Sequence, residues 1–409
     1  MNEPPSKLDL PMLHAIPVGV WALGLVSLLM DISSEMIHAL LPVYLVAVLG
    51  TSALTVGIIE GIAEATGAVV KLFSGALSDW SGRRKFLAAL GYGLSAFTKP
   101  IFPLAPSVAW LIAARFVDRV GKGIRGAPRD ALLADIAPAQ LRGASFGLRQ
   151  SLDTAGAFIG PLLAILLMWL TVSNFTAVFW FAVIPAFLAL GFMMFGVSEP
   201  DRPTELRNVH FPLSQTELRR LGLAYWLVVA VATVFMLARF SEAFLVLRTQ
   251  ATGLPAMWVP AVMVVMNVVY ALAAYPAGVL SDNGGRLRVL VIGLSLLIVA
   301  DIVLAFAPGI AAVAIGVALW GLHMGFTQGL LSTLVADAVP PELRGTAFGM
   351  FNLLTGVALL AASIVAGALW DAFGPKGTFL VGAAIALIAL CGVVAIRTQL
   401  TVADTKQKP

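Results

Sequence analysis

The segment ARFVDRVGKGIRGAPRDALLAD (114–135) places six charged side chains along one face of a helix. At 100° per residue, Arg115, Asp118, Arg119, Lys122, Arg125 and Arg129 fall within a stripe about 120° wide. The surrounding chain is strongly apolar, and a base at the centre of a membrane costs roughly 2.5–3.5 kcal/mol on insertion scales. These side chains must therefore face protein or water. Two chemistries use such a face. It can be an electropositive wall that holds an anionic solute or relays protons. It can also be one side of an internal ion-pair network. The same part of the chain supplies bases (Lys71, Arg115, Arg119, Lys122, Arg125, Arg129, Arg149) and acids (Asp31, Glu35, Glu60, Glu64, Asp118, Asp130, Asp153) in equal number. Both readings stay open.

The acids have helical spacing of their own. Asp31 and Glu35 stand at i, i+4; Glu60, Glu64 and Lys71 stand at i, i+4 and i+11, again one face. Burial favours the protonated form of a carboxylate and a basic neighbour opposes it. A movement that exchanged those environments would couple proton binding to conformation, so Asp31, Glu35, Glu60 and Glu64 are the proton-coupling candidates. His38 follows Glu35 by three, and with Asp31 it offers ligands for a hard divalent metal; the plainer reading is a histidine hydrogen-bonded inside a bundle. His323 and Met257, Met263 and Met266 show no convergent spacing and read as packing. In the second half, Arg239 and Glu242 pair at i, i+3, and Asp301 is isolated. Asn267, Tyr270, Trp320, Gln328, Phe351 and Asn352 are candidates for a cavity wall, as are Arg149 and Asp153 in the first half. A cavity charged on one side and aromatic on the other suits an amphiphilic solute with an anionic part. There is no Ser-His-Asp order, no HExxH and no phosphate loop: Gly121-Lys122-Gly123 lies within a helix. Neither an enzyme nor a nucleotide-driven pump is indicated, and no cofactor is required.

The elements that must position these residues follow from composition. Of 409 residues, 59% are hydrophobic and 12% charged, against ~25% charged in soluble domains. Apolar runs at roughly 15–48, 54–78, 84–105, 108–133, 144–170 and 175–196, then 221–247, 256–280, 288–307, 309–335, 346–369 and 376–396, predict twelve transmembrane helices. Strict alternation over ~10 residues, the pattern of a membrane barrel, is absent. The polar stretch between them predicts a cytoplasmic linker at 197–220 joining an N-terminal six-helix bundle (15–196) to a C-terminal one (221–396), with cytoplasmic tails at 1–14 and 397–409. Fifteen Lys and Arg fall on the side of the termini, against Lys99, Arg248 and Lys376 opposite, which predicts both termini in the cytoplasm. The single cysteine, Cys391, excludes a disulfide framework. The net charge of +4 reflects basic loops, and no nucleic-acid module is present.

The two halves repeat. GALSDWSGRR (75–84) recurs as GVLSDNGGRL (278–287), ADIAPAQLRGASFG (134–147) as ADAVPPELRGTAFG (336–349), and Ser34-Glu35 as Ser241-Glu242. Such parallel duplication is a transporter device. Residues 75–85, between the second and third spans, resemble the loop motif of the major facilitator superfamily, and 278–288 resemble its weaker second copy. Gly75 permits close helix approach, Gly82 a tight turn, and Asp79 an acceptor for a helix N-terminus. The resemblance implies an all-α fold of two six-helix bundles about a pseudo-two-fold axis, with gating at Gly75, Asp79, Gly82, Arg83, Asp282 and Arg286. Gly156-Ala-Phe-Ile-Gly160-Pro161 is similar to the family's antiporter motif, a site of helix bending, although Leu162 and Leu163 replace its glycine pair. Arg115 aligns with the family's membrane arginine, but Asp118-Arg119 stand where Gln-Gly is usual. The resemblance thus implies a proton-coupled exporter in a bacterial-type inner membrane, monomeric by the family's default, with a small-molecule substrate, protons and the bilayer as partners. An organic-anion or metabolite transporter with Arg119, Lys122 and Arg125 as clamp is the alternative, and a divalent-metal exporter through Asp31, Glu35 and His38 a third. The matching tenth span (317–337) carries no base, so the scaffold itself does not require the charged stripe.

Overall fold

The computed structural model describes residues 16–81, 83–138, 141–199, 218, 220–339 and 343–395. Both tails and most of the linker lie outside the described residues. So do Gly82 and the side chains of Asp79 and Asp282, which leaves those gating expectations without a structural account.

Among the described residues the chain is helical throughout. A chain this apolar must satisfy its backbone internally, and helices do so within each segment. The principal helices are α1 (Val18–His38), α2 (Ala53–Ser81), α3 (Arg84–Thr98), α4 (Val108–Ile136), α5 (Arg142–Leu170) and α6 (Phe175–Gly191), then α7 (Leu223–Ala238), α8 (Ala261–Gly284), α9 (Arg286–Phe306), α10 (Ile310–Asp337) and α11 (Arg344–Ala395). By length and apolarity, nine segments of the described residues qualify as membrane spans. Three elements explain the difference from twelve. α11 covers 52 residues, but Gly374 inside it has φ 70 and ψ −171, so two helical limbs meet there. α3 stops at Thr98 and resumes after Pro100 as the short helix Ile101–Leu104. α4 is long enough at 29 residues but carries the charged stripe.

Packing repeats at an offset of six helices. α2 packs on α4 as α8 packs on α10, and α3 on α4 as α9 on α10. The contacts between halves, α2 with α11 and α5 with α8, exchange under the same shift. α1 packs on α5 and α6. We call the end holding Val18 and Ala395 the near end and the other the far end.

Glycines seat the charged helix. A Cβ at Gly121 would lie 2.6 Å from the Gly91 carbonyl oxygen on α3, and one at Gly123 would lie 2.6 Å from Val70 Cβ on α2. α4 is thus pressed against α3 on one side and α2 on the other. Lys122, between the two glycines, is left exposed.

Candidate functional site

Most of the stripe is paired inside the first half. Arg115 Nη2 donates to Glu60 Oε2 at 2.9 Å, with both side chains buried. The same carboxylate oxygen lies 3.4 Å from His38 Nε2, while His38 Nδ1 lies 3.5 Å from Glu35 Oε2. His38 therefore bridges a carboxylate on its own helix to one on α2. Arg119 pairs with Glu64 at 3.1 Å. Arg125 donates to Ser95 Oγ at 2.5 Å and stacks over the Tyr92 ring, 4.8 Å from its centroid. Toward the near end, Arg129 contacts Asp130 at 3.0 Å, Ser27 Oγ at 3.1 Å and Asp153 at 3.8 Å, and Arg149 contacts Asp153 at 3.6 Å. Placing these charges in a membrane interior is tolerable only with partners.

Asp118 finds a partner the spans did not predict. Lys99, read from sequence as facing the side opposite the termini, is buried and lies 3.0 Å from Asp118 Oδ1 and 3.1 Å from Ser34 Oγ. The break of α3 at Lys99-Pro100 turns this ammonium inward. Arg248, assigned to the same side, is also buried: Nε donates to the Leu304 carbonyl at 2.8 Å and Nη2 to that of Ala307 at 2.6 Å. It satisfies carbonyls at the end of α9 that have no helical partner.

Lys122 differs. Among the described residues it has no carboxylate within ion-pair distance. It nevertheless lies close enough to Asp31, Glu35, Glu64 and Asp153 to act on each electrostatically.

α5 positions two of these acids. A Cβ at Gly156 would lie 2.9 Å from Asp31 Cβ, and one at Gly160 would lie 2.7 Å from Glu35 Cβ and 2.9 Å from the Ile32 carbonyl oxygen. Bare backbone lets α1 approach this closely. Pro161 follows within a helix that continues through it to Leu170.

The second half faces the cluster from across the interior. α7 ends at Ala238, and the helix resumes at Ala243. Arg239 and Glu242 thus pair across a break, at 3.4 Å, rather than along a helix. Glu242 is within electrostatic reach of His38, Glu35 and Glu64. With the Gln328 amide oxygen turned toward Arg239, it accepts from Nη2 at 2.8 Å, and its nitrogen donates to the Tyr270 hydroxyl at 3.1 Å. Asn267 reaches across the halves to the Ala157 carbonyl at 3.3 Å, and Asn352 is half-buried on α11.

Trp320 lies in the core instead of on a wall: it is fully buried, 5.4 Å from the Phe240 ring and 5.6 Å from the His323 ring. His323 is buried as expected of packing, but among the described residues neither ring nitrogen has a hydrogen-bond partner, and neither does Asp301. Among the described residues no three His, Cys, Asp or Glu gather closely enough to hold a metal, so Asp31 does not join Glu35 and His38 in such a group. Near the gating loops, Gly75 meets Ala127 at ordinary contact distance, Arg84 pairs with Asp135 at 2.5 Å, and Arg83 and Arg286 flank the starts of α3 and α9.

Comparisons with known proteins agree with this architecture. Residues 23–269 and 248–408 match the Major Facilitator Superfamily. The chain is similar to an uncharacterized MFS-type transporter of Methanocaldococcus jannaschii, 32% identical, covering 90% of this chain and 92% of that one. It is also similar to the class C tetracycline resistance protein of Escherichia coli, 28% identical over 77% and 81% of the two chains. Among solved structures, a POT family transporter in complex with 5-aminolevulinic acid superposes with a TM-score of 0.78 at 13% identity, covering 94% and 97%, which speaks for the fold alone. On the family match across nearly the whole length, this multi-pass membrane protein belongs to the Major Facilitator Superfamily.

Proposed function

We propose that the chain is a secondary active transporter working by alternating access, with proton-coupled export of a small anionic or amphiphilic organic solute. One observation carries the coupling: the linked set Glu35–His38–Glu60–Arg115, joining α1, α2 and α4 through contacts of 3.5, 3.4 and 2.9 Å. A titratable ring between two carboxylates, one of them also held by a guanidinium, can release one partner and hold the other as the helices move. Protonation at this cluster would then bias the conformation. Glu242 lies near the same cluster on the second half, so closure and opening of the interior alter its surroundings. The tetracycline resistance relative supports export as the direction. The reading places both termini in the cytoplasm, and the transporter as a monomer.

A thermal-shift screen of the purified protein against organic anions and drugs would supply a solute. In proteoliposomes its flux should then collapse when the proton gradient is dissipated, and Glu35→Gln should uncouple it. Flux indifferent to both would sink the coupling.

Lys122 favours one further reading, transport of an organic anion in either direction. Arg119 and Arg125 are engaged within the bundle, which leaves Lys122 as the exposed base of the stripe. Loss of anion binding in Lys122→Gln, with the fold intact, is its test.

A further inference from the structure

α2 begins at the far end, and its first backbone N–H groups have no helical partner. Ser52 Oγ accepts one of them, from Thr55 at 3.2 Å. Two more are taken by the opposite half: Asp371 Oδ1 accepts from the Ala53 N–H at 2.9 Å, and Oδ2 from the Leu54 N–H at 3.0 Å. A carboxylate with both oxygens on a helix N-terminus is charge-assisted and aligned with the helix dipole.

Beneath it runs a seam of close backbone approach between α2 and α11. A Cβ at Gly367, one turn before Asp371, would lie 2.6 Å from the Ala53 carbonyl oxygen, and one at Gly61 would lie 3.0 Å from the Leu360 carbonyl oxygen. Gly57 meets Ser363 and Gly356 meets Ala68 along the same line. The seam starts at the far end and reaches the middle of both helices. At its counterpart between α5 and α8, the far end of α5 reads LLMWL (166–170) and offers no carboxylate. The acidic contact is thus particular to one seam.

We propose that Asp371 is a gating residue that latches the far end shut. Its carboxylate belongs to one half and the N–H groups to the other, so any opening of the far end must separate them. Separation returns the N–H groups and the carboxylate to water. Among the described residues the seam below has no hydrogen bond between α2 and α11, and Ser363 within it accepts from the Ser241 N–H of its own half, so the seam can open without leaving polar groups stranded. Asp371 therefore sets the balance between far-end-closed and far-end-open states without touching the solute.

The proposal rests on alternating access, and one experiment separates the two. With Cys391 replaced by alanine, spin labels at Val172→Cys and Ala251→Cys, both exposed at the far end of opposite halves, report the opening of the full-length protein in nanodiscs. Asp371→Ala should raise the long-distance population several-fold. Asp371→Asn, which keeps one acceptor and loses the charge, should fall between. Two populations unchanged by either substitution would overturn the latch alone, even if thermal stability dropped. A single, unchanged population in every protein would overturn latch and alternating access together. Should Asp371→Ala fail to fold, the Asn variant decides by the same criterion.

Discussion

The ammonium of Lys99 lies 3.0 Å from Oδ1 of Asp118, and both side chains are buried. With Ser34 Oγ as its second partner at 3.1 Å, this one cation fastens α1 to α4 at the point where α3 breaks. Lys99→Met leaves Asp118 without its counter-charge, and removing one member of a buried pair costs about 3–5 kcal/mol. The thermal unfolding midpoint should fall accordingly. The double variant Lys99→Met/Asp118→Asn should recover most of the loss, and equal destabilisation of single and double variants would contradict the pairing.

Gly160→Ala tests how α5 seats the coupling candidates. The new methyl would lie 2.7 Å from Glu35 Cβ, so α1 must shift. Overpacking of this kind costs about 1–3 kcal/mol. Proton-driven flux should be impaired, because Glu35 and His38 move with α1 relative to Glu60 on α2. Gly191→Ala, where nothing lies within 4 Å, is the control expected to behave as the parent.

Lys122 and Arg115 share a stripe but differ in surroundings. Lys122→Gln should change stability by no more than about 0.5 kcal/mol, because the side chain is exposed and outside ion-pair distance of any carboxylate among the described residues. Arg115→Gln removes the closer partner of buried Glu60, leaving it the 3.4 Å contact with His38, and should cost up to about 3–5 kcal/mol. Thermal denaturation in the same detergent compares them directly, and similar losses would mean that Lys122 is also structural.

Arg248→Lys is not a conservative change here. The guanidinium reaches two carbonyls, Leu304 and Ala307, in one plane, whereas an ammonium is a point charge that cannot reproduce the fork. Arg248→Met should lose about 1–3 kcal/mol through unsatisfied groups, with Arg248→Lys between. Unchanged unfolding in both variants would show that water replaces the contact.

The residue types and periods made the helices, the duplication and the buried charge legible. Apolar runs leave the backbone no other structure, and the spacing of Arg115 to Arg129 defines a face whatever it meets. Lys99 lies beside a proline within the run 84–105, where nothing local separates an outward charge from an inward one; its partners on α4 and α1 show that it turns inward. Arg248 repeats that lesson with backbone carbonyls, which leave no trace in side-chain composition. The α2–α11 seam has a signature in the sequence, since Gly57 and Gly61 form a GxxxG pair within an apolar helix. Asp371 lay at the edge of a span with nothing local to distinguish it; its role depends on a helix start 318 positions away.

α4 is long enough to cross a bilayer but is not among the segments apolar enough to do so alone. During synthesis it follows α2 and α3, which bring Glu60, Glu64 and, just past the end of α3, Lys99: the partners of its Arg115, Arg119 and Asp118. Its entry into lipid must therefore await theirs, as a group and not helix by helix. Substitutions at those three positions should then appear first as chains that fail to integrate and are degraded, well before any deficit in the cycle of the finished protein could be measured.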